Sequence, residues 1–71
     1  ELRFRPLMLE ALERASLVSG LELLYLGVVT TNTHARALYL SLGFEIYGVE
    51  RHAIKLDGQY FDEEMMALWL K

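Results

Sequence analysis

The chain contains no cysteine, one proline and two histidines in 71 residues. Without cysteine there is no disulfide framework, no thiol nucleophile and no thiolate-bound metal. His34 and His52 stand alone and far apart, so no metal site is expected. No apolar run approaches the roughly 18 residues that a membrane-spanning helix needs. There is no basic excess: seven Lys and Arg stand against ten Asp and Glu, for a net charge of −3. That balance argues against a nucleic-acid partner, which would call for a basic face. No secretory leader pattern is visible. The default expectation is a soluble cytoplasmic protein.

What the chain has in abundance is apolar side chain. Hydrophobic residues make up 54%, against about 45–50% in ordinary globular domains. A domain this short buries only ~60% of the surface its unfolded chain exposes. The excess therefore predicts neighbours, either a second copy or another part of the same fold.

Punctuation divides the chain into five elements. "RPLMLEALERASLVSG" reads as a helix, with Pro6 in the first turn and Gly20 at a left-handed exit. Leu7, Met8, Ala11, Leu12, Ala15 and Val18 form its apolar stripe. Glu10, Glu13 and Arg14 lie opposite. Leu21 to Val29, "LELLYLGVV", is apolar on both alternating faces apart from Glu22. A strand buried on both sides, beside a parallel neighbour, reads this way. "THARALYLSLG" is a second helix, capped by Thr31 or Asn32 and ended by Gly43. Its buried face is Ala35, Leu38, Tyr39 and Leu42.

Two strands follow, from Phe44 and from Gln59 to Leu70. Asp57-Gly58 between them is a strong hairpin signal. Gly48 predicts a bulge or a close backbone approach. Met65 to Leu70 is apolar on both faces, which places it inside a sheet. Asp62, Glu63 and Glu64 read as a solvated patch beside the hairpin that can also meet an amine, and Trp69 as core or interface.

The order and spacing of these residues resemble the GCN5-related N-acetyltransferase (GNAT) family. Asn32, Ala35, Leu38, Tyr39, Gly43 and Phe44 reproduce the family run of Asn, Ala, Leu-Tyr and Gly-Phe. Gly48, Arg51, Asp57, Gly58, Asp62 and Met65 continue it in order. The match runs from about Arg5 to Leu70 and covers the C-terminal half of the family fold.

The resemblance implies one partial domain over residues 1–71, of α/β class, in the order helix, strand, helix, strand, strand. Its three-stranded sheet is expected to be mixed, with the last strand between the other two. The family's pyrophosphate loop and the strands before it are expected to be absent. The two small positions of that loop fall on Leu2 and Phe4, while Arg3 or Arg5 can still attract phosphate.

Taken alone, Asn32 reads as a helix cap and Tyr39 as a core residue. The resemblance gives both a second role. Asn32, with Ala35 and Arg5, is assigned to acetyl-coenzyme A. Tyr39 is assigned as the general acid that protonates the departing thiolate. Helical spacing agrees: the two residues project from one face, ~10 Å apart along the axis. A phenol with an ordinary pKa near 10 stays protonated and can donate.

The implied reaction is acetyl transfer from acetyl-coenzyme A to a primary amine, by a truncated or split enzyme that is inactive as an isolated chain. Two alternatives are a GNAT-derived dimerisation or assembly module without catalysis, and a small unrelated α/β binding domain. The expected partner is a second copy or the missing N-terminal half. Leu23, Tyr25, Leu26, Val28 and the first helix are expected near that contact.

Overall fold

The computed structural model describes residues 5–70. Leu2, Arg3 and Phe4 lie outside the described residues. Five elements follow in the expected order: α1 (Arg5–Ser16), β1 (Leu23–Val29), α2 (Thr33–Ser41), β2 (Glu45–Leu56) and β3 (Gln59–Trp69). No described helix is long and apolar enough to cross a membrane.

The strands form one sheet in the order β1-β3-β2, so the last strand lies in the middle as expected. Both pairings are antiparallel. The expected mixed sheet is corrected on this point. A parallel pairing for β1 needs a strand on its outer side, and none of the described strands lies there.

The β1–β3 ladder centres on Leu26↔Met66. Two more hydrogen bonds extend it: Thr30 N–H to the Asp62 carbonyl, 3.0 Å, and Leu70 N–H to the Glu22 carbonyl, 2.7 Å. Even-numbered residues of β1 therefore face β3 with their backbone groups. By the alternation of an antiparallel ladder, Leu23, Tyr25, Gly27 and Val29 direct theirs at the outer edge.

The hairpin between β2 and β3 turns at Asp57-Gly58, where both residues have positive φ, 51° and 77°. A two-residue type I′ turn requires this at both central positions. The strand β2 is irregular at two places. Its register shifts between Ile46 and Gly48, which is the bulge that Gly48 signalled. A Cβ on Gly48 would meet nothing within 4 Å, so close approach is not its reason. The second shift, between Glu50 and Ile54, carries no sequence signal. There His52 adopts φ 53°, and its N–H donates to Asp62 Oδ1 at 2.9 Å.

One face of the sheet carries both helices and the core. Val28, Leu38, Leu42, Phe44 and Met66 are buried, with Met66 fully so. Met8, Leu9, Leu12, Leu24, Leu26, Ala35, Tyr39 and Leu68 pack around them. The stripe expected on α1 is rotated: Leu9 joins Met8 and Leu12, while Leu7 and Val18 are exposed. The run of apolar residues is wide enough for two orientations, and packing against the core selects one. The helix also ends at Ser16, ahead of Gly20, and short i→i−3 turns carry the chain onward.

The other face is open. Tyr25, Tyr47 and Trp69 stand exposed, with Tyr25 and Tyr47 edge to face at 5.9 Å. Trp69 is thus a surface residue and not core. Of the residues expected near a partner, Leu23 and Tyr25 belong to this face, whereas Leu26 and Val28 turn inward to the helices. The radius of gyration is 13.5 Å, against about 11 Å for a compact domain of this length. The long hairpin and the uncovered face account for the difference.

The end of α2 shows why the Tyr-x-x-x-Gly-Phe spacing folds as it does. Gly43 has φ 100°. Its N–H reaches the Leu40 carbonyl, and the Phe44 N–H reaches the Tyr39 carbonyl, both at 3.1 Å. These are the two bonds of a Schellman cap, and the Tyr39–Phe44 ring contact at 5.7 Å is its apolar clasp. Gly43→Ala should lower stability by about 1–2 kcal/mol, because only glycine adopts that backbone freely. Gly48→Ala should stay within ~0.5 kcal/mol. Urea unfolding of the two variants checks the contrast.

Candidate functional site

The candidate site is one flank of α2. Asn32, Ala35, Arg36 and Tyr39 recur at i, i+3, i+4 and i+7, so they lie along one side of the helix. The first of them is a true cap: its Oδ1 accepts from the Ala35 N–H at 3.1 Å. The side-chain amide nitrogen of Asn32 has no partner among the described residues and is exposed, so the cap and a ligand contact are compatible. Ala35 is half-buried beneath it.

Tyr39 is half-buried, its ring against Phe44 and the core. Its hydroxyl has no hydrogen bond among the described residues. The same hydroxyl is not a buried orphan either, since no buried side-chain polar atom lacks a partner. It therefore reaches solvent, with its ring packed against Phe44.

Arg5, the third expected ligand residue, lies at the opposite end of α2. Its Nε donates to Ser41 Oγ and its Nη2 to the Ser41 carbonyl, both at 3.1 Å. Two of the five guanidinium N–H donors are thus committed to the last residue of α2, and the rest are available.

The structure adds residues that carried no signal of their own in the sequence. Arg36 pairs with Glu64 of β3: Nε to Oε1 is 2.6 Å. Asp62, Glu63 and Glu64 are not the solvated patch expected of them. Strand alternation sends Glu64 to Arg36 on the helix side, and Asp62 binds the His52 amide. Glu63 turns to the open face, where its carboxylate lies close over Gly27. A solvent-facing alternation of charges would have had to continue along β3; instead Met65 to Leu70 is apolar. His34 and His52 are exposed, and His52 stacks on Tyr60 at 4.6 Å. Among the described residues no group of three or more His, Asp or Glu is placed to hold a metal ion. No pocket closes over the α2 flank among the described residues; it is an open surface.

The sequence of residues 5–65 matches the family model described as an acetyltransferase (GNAT) domain. The chain belongs to the GNAT acetyltransferase family. Solved GNAT structures agree in fold. An N-acetyltransferase from Staphylococcus aureus Mu50 is 33% identical, with a TM-score of 0.77 over 93% of this chain and 42% of that one. A GNAT-family acetyltransferase from Streptococcus pneumoniae is 31% identical, with a TM-score of 0.89 over 94% and 40%. A putative acetyltransferase from Salmonella typhimurium, solved with its cofactor acetyl-CoA, shares the fold at 24% identity and a TM-score of 0.85, over 94% and 38%. This GNAT chain thus spans about two fifths of the structures that it matches. Comparison with curated protein sequences gives no significant match.

The cap can be separated from any ligand contact by substitution. Asn32→Ala should cost about 1 kcal/mol of stability through loss of the Ala35 bond, whereas Asn32→Asp, which still accepts that bond, should stay within ~0.5 kcal/mol. Thermal or urea unfolding of both variants reads the difference.

Proposed function

We propose that this GNAT chain supplies the C-terminal half of an N-acetyltransferase that moves an acetyl group from acetyl-coenzyme A to a primary amine. The observation that carries the reading is the α2 flank. Its amide donor at Asn32 and its hydroxyl at Tyr39 are both unengaged, on one side of one helix, within a chain of this family. Asn32 and Ala35 are the residues to hold the pantetheine arm. Arg5, at the start of α1, is the residue to meet phosphate with the donors that Ser41 leaves it.

Acetyl-coenzyme A would supply the activated thioester carbonyl and a thiol leaving group. On this chain the work is positioning and proton delivery. The Tyr39 hydroxyl gives its proton to the sulfur as the carbon–sulfur bond breaks, and the resulting phenolate regains a proton from solvent. The amine that attacks the carbonyl loses its own proton to a base outside this half. The Tyr39 ring is held by Phe44 throughout, so the hydroxyl moves little. The acceptor side and the backbone that aligns the acetyl group belong to the preceding half expected from the family. On this reading the isolated chain binds weakly and does not turn over.

Titration of the chain with coenzyme A, then an amine acetylation assay in an assembly that restores the preceding half, tests the reading. Tyr39→Phe should lower turnover by ~10²–10⁴-fold with cofactor affinity nearly unchanged, because the ring contact survives and the proton does not. Unchanged turnover with chemistry rate-limiting reduces Tyr39 to a packing residue.

A second reading is favoured by one observation, the free outer edge of β1 beside the exposed aromatics of the open face. An uncovered strand edge invites another chain, and a two-fold dimer is the simplest closed solution. On this reading the chain is a non-catalytic assembly module. Sedimentation at micromolar concentration should give a dimer, and charges introduced at Leu23 and Tyr25 should return it to a monomer. A stable wild-type monomer removes this reading.

A further inference from the structure

We infer that the Arg36–Glu64 ion pair is a positioning device for the site, fixing the α2 flank that carries Asn32 and Tyr39 against the middle strand. Its functional consequence rests on the acetyl-transfer reading above; its physical content rests on the pair itself. Arg36 stands one turn beyond Asn32 and one turn before Tyr39, at the middle of the flank. Its Nε meets Glu64 Oε1 at 2.6 Å, and its Nη2 lies 3.5 Å from Oε2. Glu64 sits where β3 is paired on both sides, opposite Val28 and Val49. Its side chain is 13% exposed and that of Arg36 41%.

The rest of the contact between α2 and the sheet is apolar: Ala35, Leu38, Tyr39 and Leu42 around Val28 and Met66. Apolar burial is non-directional. It holds a helix on a sheet but leaves small rotations and slides nearly free. A planar guanidinium side-on to a carboxylate is directional and selects one arrangement. Among the described residues this is the only side-chain hydrogen bond between α2 and the sheet. The other arginine tie, Arg5 to Ser41, joins α2 to α1 and not to β3. A helix of nine residues has little order of its own, so its orientation comes from what it touches. A carboxylate so nearly buried keeps its cation, since breaking the pair strands a charge. The pair therefore sets where Asn32 and Tyr39 stand relative to β1 and β3.

Amide hydrogen exchange by NMR on the 71-residue chain tests this, with Arg36→Met, Glu64→Gln and the reversed pair Arg36→Glu with Glu64→Arg. Each single variant should speed exchange at Leu38 and Leu42 of α2 roughly tenfold while Leu26 and Met66 in the sheet are unchanged, and the reversed pair should restore the α2 rates. Equal acceleration in helix and sheet means a merely structural contribution and overturns the inference, as does no acceleration anywhere. If Arg36→Met does not fold, the nearly isosteric Glu64→Gln carries the comparison. Coenzyme A titrated into the same samples separates the two claims. Weaker binding in the single variants and recovery in the reversed pair supports positioning for the ligand. Equal binding in wild type and variants despite a loosened helix overturns it. A wild type that binds no coenzyme A ends the acetyl-transfer reading, and the exchange pattern then decides the clamp on its own.

Discussion

The double pairing of β3 is the constraint on which the rest of the molecule depends. Its backbone carries the ladder to β1 and the ladder to β2 at once. Its side chains then supply the fully buried Met66, the Glu64 that holds α2, and the Asp62 that secures the His52 bulge. The Asp62 carbonyl and the Leu70 N–H add the end bonds to β1. The two long strands of the hairpin and the edge strand are thus ordered by one segment. Both helices pack on the face that β3 forms together with β1.

The helix-side face and the open face give the chain its asymmetry. The helices cover one face and complete a small core there. The other presents Tyr25, Tyr47 and Trp69 beside an outer edge of β1 that no described strand pairs with. The matched structures are longer than this chain, which spans about two fifths of each. The α2 flank lies on the covered face, so its residues are ordered by packing. Tyr39 shows the economy of this arrangement. One ring closes the Schellman cap through Phe44, contributes to the core, and carries a hydroxyl to the surface.

Much of this was legible in the residues. Asp57-Gly58 specified its turn because two adjacent positive φ angles admit few other residues. Gly43 and Phe44 specified the end of α2 by the same logic. The two-sided apolarity of Met65 to Leu70 placed β3 in the middle of the sheet, since an edge strand or a solvated face would have shown polar alternation. Asn32 was legible as a cap, and the GNAT match of residues 5–65 confirms the family that its spacing with Tyr39 suggested. Other features were not. The rotation of α1 was ambiguous because Leu7, Met8, Leu9, Ala11 and Leu12 offer two apolar stripes. The His52 bulge had no glycine to announce it. The acidic run from Asp62 to Glu64 looked like one solvated patch because nothing local reveals which side each member faces.

The sequence by itself determined the elements, their order, the turn and cap geometries, and the family, because each depends on local backbone preference or on spacing along the chain. Only the tertiary structure decided which polar groups meet. Arg36 and Glu64, Arg5 and Ser41, and His52 and Asp62 are joined by the way that α2 and β2 fall on or beside their neighbours. Such contacts depend on distances in space of a few ångströms, and those are set by packing between segments far apart along the chain.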